Sequence, residues 1–246
     1  MTKSPYDLTV LLMSKKSMLS ADAFEKIRRL DTCTVSNAIE QFNVRLRDEG
    51  FVHGAVRCQF PGFAPMLGHA VTARARSSSA PMTGRLYYDR LDWWEYVLTI
   101  PEPRVMVLQD IDHQPGIGAF VGEMHAQIGL ALHCVGCVTN GAVRDLPAVE
   151  KTGFHLFAGS VAVSHSYAHI VDFGEPVEIG GLKIYPGDLV HGDRHGVHMI
   201  PLEIAKEIPA VAARLLAEEN DLMELCRPPD FSLEKLAARL AQTNQA

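Results

Sequence analysis

The chain has 246 residues, 47% of them hydrophobic and 21% charged, which is enough to bury a full core in one large domain. With 23 basic and 29 acidic residues its formal net charge is −6, a balance poorly suited to neutralising phosphates, so no nucleic-acid partner is expected. No apolar run approaches the roughly 18 residues of a membrane span, and five cysteines suit a reducing compartment.

A cytoplasmic protein with no membrane partner is therefore expected. The opening "MTKSPYDLTVLLMSKK" has a short apolar patch, but Asp7 and the charged sequel spoil it as a signal peptide. Residues 1–25 read as an N-terminal extension. "DTCTVSNAIEQF" then reads as a helix capped by Asp31 or Thr34, and "GHAVTARARS" alternates like a strand with one polar face. "RLYYDRLDWWEYVLTI" has helical spacing, "RVMVLQD" is a short apolar strand ending in acid, and "AFVGEMHAQIGLALH" is again helical.

"CVGCVTN" reads as a buried strand. Its Cys134-x-x-Cys137 pair has no second pair to complete a zinc ribbon, and free cysteine behaves as a small hydrophobe. Asn140-Gly141 is expected to turn the chain sharply with positive φ. "DLPAVEKTG" suggests a short helix closed by Gly153. The stretches "HLFAG", "VAVSH", "EPVEI", "LKIYP", "DLVHGD" and "VHMIP" follow, separated by turn residues, and predict a second sheet of hairpins. From Leu202 the pattern is helical to about Cys226, breaks at "RPPD" and resumes. The organisation read is an α/β domain over 26–201 with a helical C-terminal extension over 202–246.

In open parallel sheets ligands bind beyond the carboxyl ends of strands. "QDIDH", "FVGEMH" and "TNGAVRD" occupy such positions. Gly122 would let a ligand approach the backbone, and the N–H groups of Glu123, Met124 and His125 at a helix start would favour an anion. Arg144 can hold a carboxylate through two parallel bonds, and carboxylates with few other ligands suit Mg²⁺. Read alone, Arg144-Asp145 also fits a solvated ion pair at a turn. "HGDRH" invites a metal reading, in which His191, Asp193 and His195 share a face only if a strand runs on through Gly192; the account preferred for the histidines here, His191 and His198 among them, is a turn or interface role.

Twenty residues separate Glu123 from Arg144-Asp145, and this spacing resembles the acidic-x20-Arg-Asp signature of the class II pyruvate aldolases of the 4-hydroxy-4-methyl-2-oxoglutarate aldolase type, grouped with the regulator-of-ribonuclease-activity-A (RraA-like) proteins. "TVSNAI", "GHAVTA", "VGEMHAQIG", "NGAVRD" and "GEPVEIGGLKIYPGDLVHGDRHGV" resemble further family segments, over roughly Leu30 to Pro201. The resemblance implies a swivelling β/β/α fold and a homotrimer or homohexamer with sites between subunits. It also implies Mg²⁺ or Mn²⁺ on Asp145, with Glu123 holding metal-bound waters. Arg144 would bind the carboxylate and oxo oxygen of a 2-oxo acid, and the Gly122–His125 backbone, through Met124, would receive the pyruvoyl carboxylate.

The activity implied is retro-aldol cleavage of a 4-hydroxy-2-oxo acid to pyruvate, with oxaloacetate decarboxylation at the same site. The alternatives are a non-catalytic regulator that binds a ribonuclease, and a diverged lyase or hydratase acting on another oxo acid. Two departures stand out: Asn140 where the family often has Asp, and Ser36-Asn37 where Ser-Asp is common.

Overall fold

The computed structural model describes residues 19–81, 90–227, 229 and 231–243. Two helices come first. Ser20 caps α1 (Ala21–Arg28), and Asp31 caps α2 (Thr32–Glu40), taking the Thr34 N–H at 2.8 Å. Strand β1 (Arg57–Cys58), the long β2 (Met66–Arg76), α3 (Leu91–Val97) and β3 (Arg104–Asp110) follow. After them come β4 (Ala119–Val121), α4 (Glu123–Ala131), β5 (Cys134–Val143), α5 (Leu146–Thr152) and β6 (His155–Val161). The remaining strands are β7 (His169–Phe173), β8 (Val177–Ile179), β9 (Leu182–Ile184), β10 (Leu189–Asp193) and β11 (Gly196–Ile200), and helices α6 (Ile208–Leu225) and α7 (Leu233–Thr243) end the chain.

Nine strands form one sheet along the path β1-β6-β5-β3-β2-β10-β11, with β4 paired to β5 and β7 to β2. Strands β2, β3, β5 and β6 run parallel to one another, and β1, β7, β10 and β11 join antiparallel. The segment from Gly50 to Cys58 bonds both edges. Val52 N–H donates to Val197 O and Met199 N–H to Gly50 O on β11, whereas Arg57 and Cys58 pair with β6. The sheet is thereby drawn toward a closed barrel, and a Cβ on Gly192 of β10 would lie 2.9 Å from the Phe157 ring of β6.

Alternation sends the central strands into two cores. Val71, Ala73, Ala75, Met106 and Leu108 pack outward with Trp93, Trp94 and Phe154. Ala70, Val105, Val107, Val138 and Phe157 pack on the other face under Ile179 and Ile184 of the β8–β9 hairpin. A third cluster joins Ile27, Val35 and Ile39 to Leu189, Ile200 and Ile208, fixing α1, α2 and α6 to the β10–β11 end.

The α/β class and swivelling β/β/α architecture read from the sequence hold, but local readings need correction. The expected second sheet shrinks to β8–β9, since β7, β10 and β11 belong to the main sheet. "VAVSH" is not a separate strand, because β6 ends at Val161. The helix read over "AFVGEMHAQIGLALH" starts only at Glu123, and Ala119–Val121 is a strand. Asn140-Gly141 makes no turn: β5 runs through both to Val143, and the positive φ falls on Asp145 (φ 58°). The first part of the helix read over 85–100 lies outside the described residues, as does most of the N-terminal extension; α3 covers Leu91–Val97. Gly180 and Gly181 make the β8–β9 turn with φ 52° and 80°, positive values that glycine adopts without a side-chain clash.

Cys134 and Cys137 are buried on β5 as expected, and burial pushes the Cys134 thiol up to about 12. Burial acts oppositely on histidines. His155 lies near the rings of Phe63 and Phe157 and is held down at about 4, as is His191.

In the unfolded chain these groups titrate near 6.5. Between pH 6.5 and about 4 the unfolded chain therefore binds more protons, and stability falls as pH falls through that window. Each histidine contributes a slope of at most about 1.4 kcal/mol per pH unit. Urea unfolding at pH 7 and pH 5 should show this loss, and His155→Phe should lessen it. An unaltered pH dependence in the variant would remove His155 from the account.

Candidate active site

Pairing between β4 and β5 assembles the site. Ala119 lies opposite Ala142 and Val121 opposite Val143, and Arg144 N–H donates to Val121 O at 2.9 Å. That register sets Gly122, which follows β4 and caps α4, directly beside Arg144 and Asp145. A Cβ on Gly122 would stand 2.4 Å from Asp145 Oδ2 and 3.1 Å from Arg144 Cγ, so only glycine fits without displacing the acid.

Asp145 turns the chain from β5 into α5 with φ 58° and ψ 32°, a left-handed conformation uncommon for a residue with a side chain. Its carboxylate consequently swings back over α4. Oδ2 accepts the Glu123 N–H at 3.2 Å and lies 3.4 Å from Arg144 Nε. The Arg144 and Asp145 side chains keep 35% and 41% of their exposure, and Glu123 and Met124 are exposed beside them. His125 points inward against Trp94 and Phe120, and burial, reinforced by the Arg144 charge, pushes it down to about 3.

The structure thus brings together Gly122, Glu123, Arg144 and Asp145, with His125 beneath and Met124 at the rim. One expectation changes. Arg144 and Asp145 pair with each other, and the Glu123 N–H expected to meet a substrate anion is held by Asp145. The rim presents a guanidinium and carboxylates in water's reach, a donor set able to receive an anion and a hard cation side by side.

A family model described as RraA-like, Aldolase/RraA, matches residues 32–199. The chain belongs to the RraA-like family. Among curated relatives, a putative 4-hydroxy-4-methyl-2-oxoglutarate aldolase of Halalkalibacterium halodurans is 36% identical over 85 residues, covering 34% of this chain and 39% of that protein. Protein DlpA of Legionella pneumophila is 29% identical over 128 residues, or 50% of this chain and 20% of the relative. The chain therefore spans well under half of either relative's length.

Solved structures agree on the fold. An uncharacterized protein from Pseudomonas syringae gives a TM-score of 0.67 at 21% identity, covering 89% of this chain and 98% of that one. Streptomyces coelicolor RraAS2, described as an unusual member of the RNase ES inhibitor RraA protein family, gives 0.65 at 22%, covering 84% and 100%.

Neighbouring strand ends of this RraA-like chain hold a second polar group that sequence reading did not resolve. Asn140 Oδ1 accepts the Asp110 N–H at 2.7 Å while its Nδ2 donates to Asp110 O at 2.9 Å, tying β5 to β3. An aspartate could do only the first. Asp110 accepts from Gly116 and Asp112 N–H groups, and Asp112 binds the N–H and hydroxyl of both Ser77 and Ser78. "QDIDH" marked the place, but nothing in the sequence paired Asp112 with the serines.

The "HGDRH" metal reading gives way to another use of its residues. β10 does continue through Gly192, but Asp193 spends its oxygens on Thr32 N, Thr32 Oγ1 and His195, and His191 turns to His198 at 2.9 Å. His191 and His198 are buried core residues, contrary to the expected turn or interface role.

Gly122→Ala leaves the backbone conformation acceptable (φ −135°, ψ −161°) yet collides with Asp145. A crystal structure of the variant should show an intact sheet with the Asp145 carboxylate moved off the Glu123 N–H. An unmoved Asp145 would refute the close-approach account.

Proposed function

We propose that this protein is a divalent-metal-dependent lyase that cleaves a 4-hydroxy-2-oxo acid to pyruvate and also decarboxylates oxaloacetate. The observation that carries the reading is the convergence of Arg144, Asp145 and the Gly122–Glu123 backbone at one exposed rim. The aldolase named among the relatives supports it.

The residues fit the proposed ion. Among the described residues no three His, Cys, Asp or Glu side chains cluster to hold a metal. The rim instead offers the exposed Asp145 carboxylate with Glu123 nearby, an oxygen-only set that suits Mg²⁺ or Mn²⁺ retaining several waters and not zinc. Such an ion on the 2-oxo oxygen would supply positive charge where the enolate develops. Asp145 is the direct ligand in this reading and Glu123 the acceptor for bound waters. Arg144, released from Asp145, takes the substrate carboxylate in a two-bond fork and fixes the breaking C–C bond relative to the oxo group. Small 2-oxo acids are the partners proposed, with a trimer or hexamer as the assembly.

Incubation with oxaloacetate or 4-hydroxy-4-methyl-2-oxoglutarate should release pyruvate with Mg²⁺ or Mn²⁺ and stop with EDTA. Arg144→Lys, which replaces a fork by a point charge, should cost roughly 30-fold or more in turnover. No pyruvate from either substrate would count against the lyase. The RraAS2 description favours a second reading as a ribonuclease inhibitor. Dose-dependent inhibition of an endoribonuclease by a lyase-inactive protein would select that reading.

A further inference from the structure

At the rim, one oxygen of Asp145 stands on the two donors that an incoming anion would use. Oδ2 accepts the Glu123 N–H at 3.2 Å and lies 3.4 Å from Arg144 Nε. It reaches both because the left-handed turn at Asp145 (φ 58°, ψ 32°) folds the acid back over the start of α4. The place it fills is narrow, since a Cβ on Gly122 would stand 2.4 Å from the same oxygen. An anion arriving at the Glu123 N–H therefore meets a carboxylate oxygen already seated there, and two like charges repel at that distance.

We propose that Asp145 masks the anion-binding donors of the rim until a divalent cation engages its carboxylate, so that cation and carboxylate binding are coupled through this one side chain. The proposal rests on the lyase reading for the cation at Asp145, and adds the order in which the rim is filled. A cation on the carboxylate competes with the Glu123 N–H and the Arg144 guanidinium for Oδ2. Their release leaves a fork and a backbone donor for a substrate carboxylate. Such coupling is reciprocal: the factor by which the cation tightens the anion is the factor by which the anion tightens the cation. Both side chains are more than a third exposed, so the masking contact is modest. The expected coupling is about tenfold, the scale of one charge-assisted hydrogen bond given up before the anion can bind.

The test uses Mg²⁺ and acetate, which carries one carboxylate and no oxo group, on the full chain, following the Glu123 amide and Arg144 Nε–H resonances by NMR. Mg²⁺ alone should shift both resonances saturably with one midpoint, and should tighten acetate about tenfold. The charge of the ion also attracts acetate, so the deciding arm is metal-free. Asp145→Gly removes the carboxylate and keeps the left-handed turn, which glycine adopts without strain. Without Mg²⁺ it should bind acetate about tenfold more tightly than the unaltered chain. Glu123→Gln removes a neighbouring exposed charge and leaves Oδ2 in place, and should gain no more than about twofold.

Metal-free acetate affinity unchanged in Asp145→Gly, or raised as much in Glu123→Gln, would overturn the masking. So would Mg²⁺ that moves neither resonance in the unaltered chain. The lyase reading fails separately. Coupled binding with no pyruvate from either substrate removes the activity and keeps the masking, whereas pyruvate release with no gain in Asp145→Gly does the reverse.

Discussion

Everything at the rim depends on one close approach, the packing of the Asp145 carboxylate over the backbone of Gly122. It requires the β4–β5 register to carry Gly122 level with Arg144, and the left-handed turn at Asp145 to aim the acid backward instead of outward. A side chain at Gly122 or a relaxed φ at Asp145 breaks the arrangement. Holding a non-glycine residue in that conformation costs of order 1 kcal/mol, which the surrounding pairing must offset. The offset is visible: Arg144 N–H is locked to Val121 O, and the Asp145 carbonyl accepts from both Ala148 and Val149.

The mutual pairing of Arg144 and Asp145 bears on how such a rim could exchange partners. A pair at 3.4 Å with both side chains more than a third exposed is worth little in water. Its components are already largely solvated, so separating them carries a small cost that a bidentate carboxylate and a divalent cation can offset. His125 contributes from below. Burial keeps it neutral, so it adds no second positive charge beneath the guanidinium. A cationic residue there would compete with Arg144 for any anion the rim receives.

The fold was legible where periodicity was strong. The alternation of β2, the apolar run of β3, the caps of α2 and the Gly-Gly turn of β8–β9 all follow from local chemistry. What was not legible depends on partners distant in sequence. β4 is only three residues long and is a strand because β5 lies beside it, so the helical pattern of its neighbours swallowed it. Asn140-Gly141 reads as a turn locally, yet Asn140 finds both its hydrogen bonds on Asp110, thirty residues away, and the strand continues. At the site, the residue types and spacing were readable, but the direction in which Asp145 points was not, because it follows from a dihedral angle set by that extended strand.

Asn140 also explains why a departure from the family pattern need not disturb the rim. An amide can donate and accept at once, so it mimics one rung of a β ladder between β5 and β3 beyond their last regular pairing at Thr139 and Leu108. A carboxylate in its place would face the Asp110 carbonyl without a proton to offer, and would need a donor from elsewhere. In this chain that neighbourhood is already acidic, with Asp110 buried and raised by desolvation and Asp112 supplied with donors by the serine cluster. A third carboxylate there would add repulsion beside Asp112, which already takes the Arg76 charge. The amide therefore belongs to the scaffold that extends β5 to Val143, and through that extension it sets where Arg144 and Asp145 emerge.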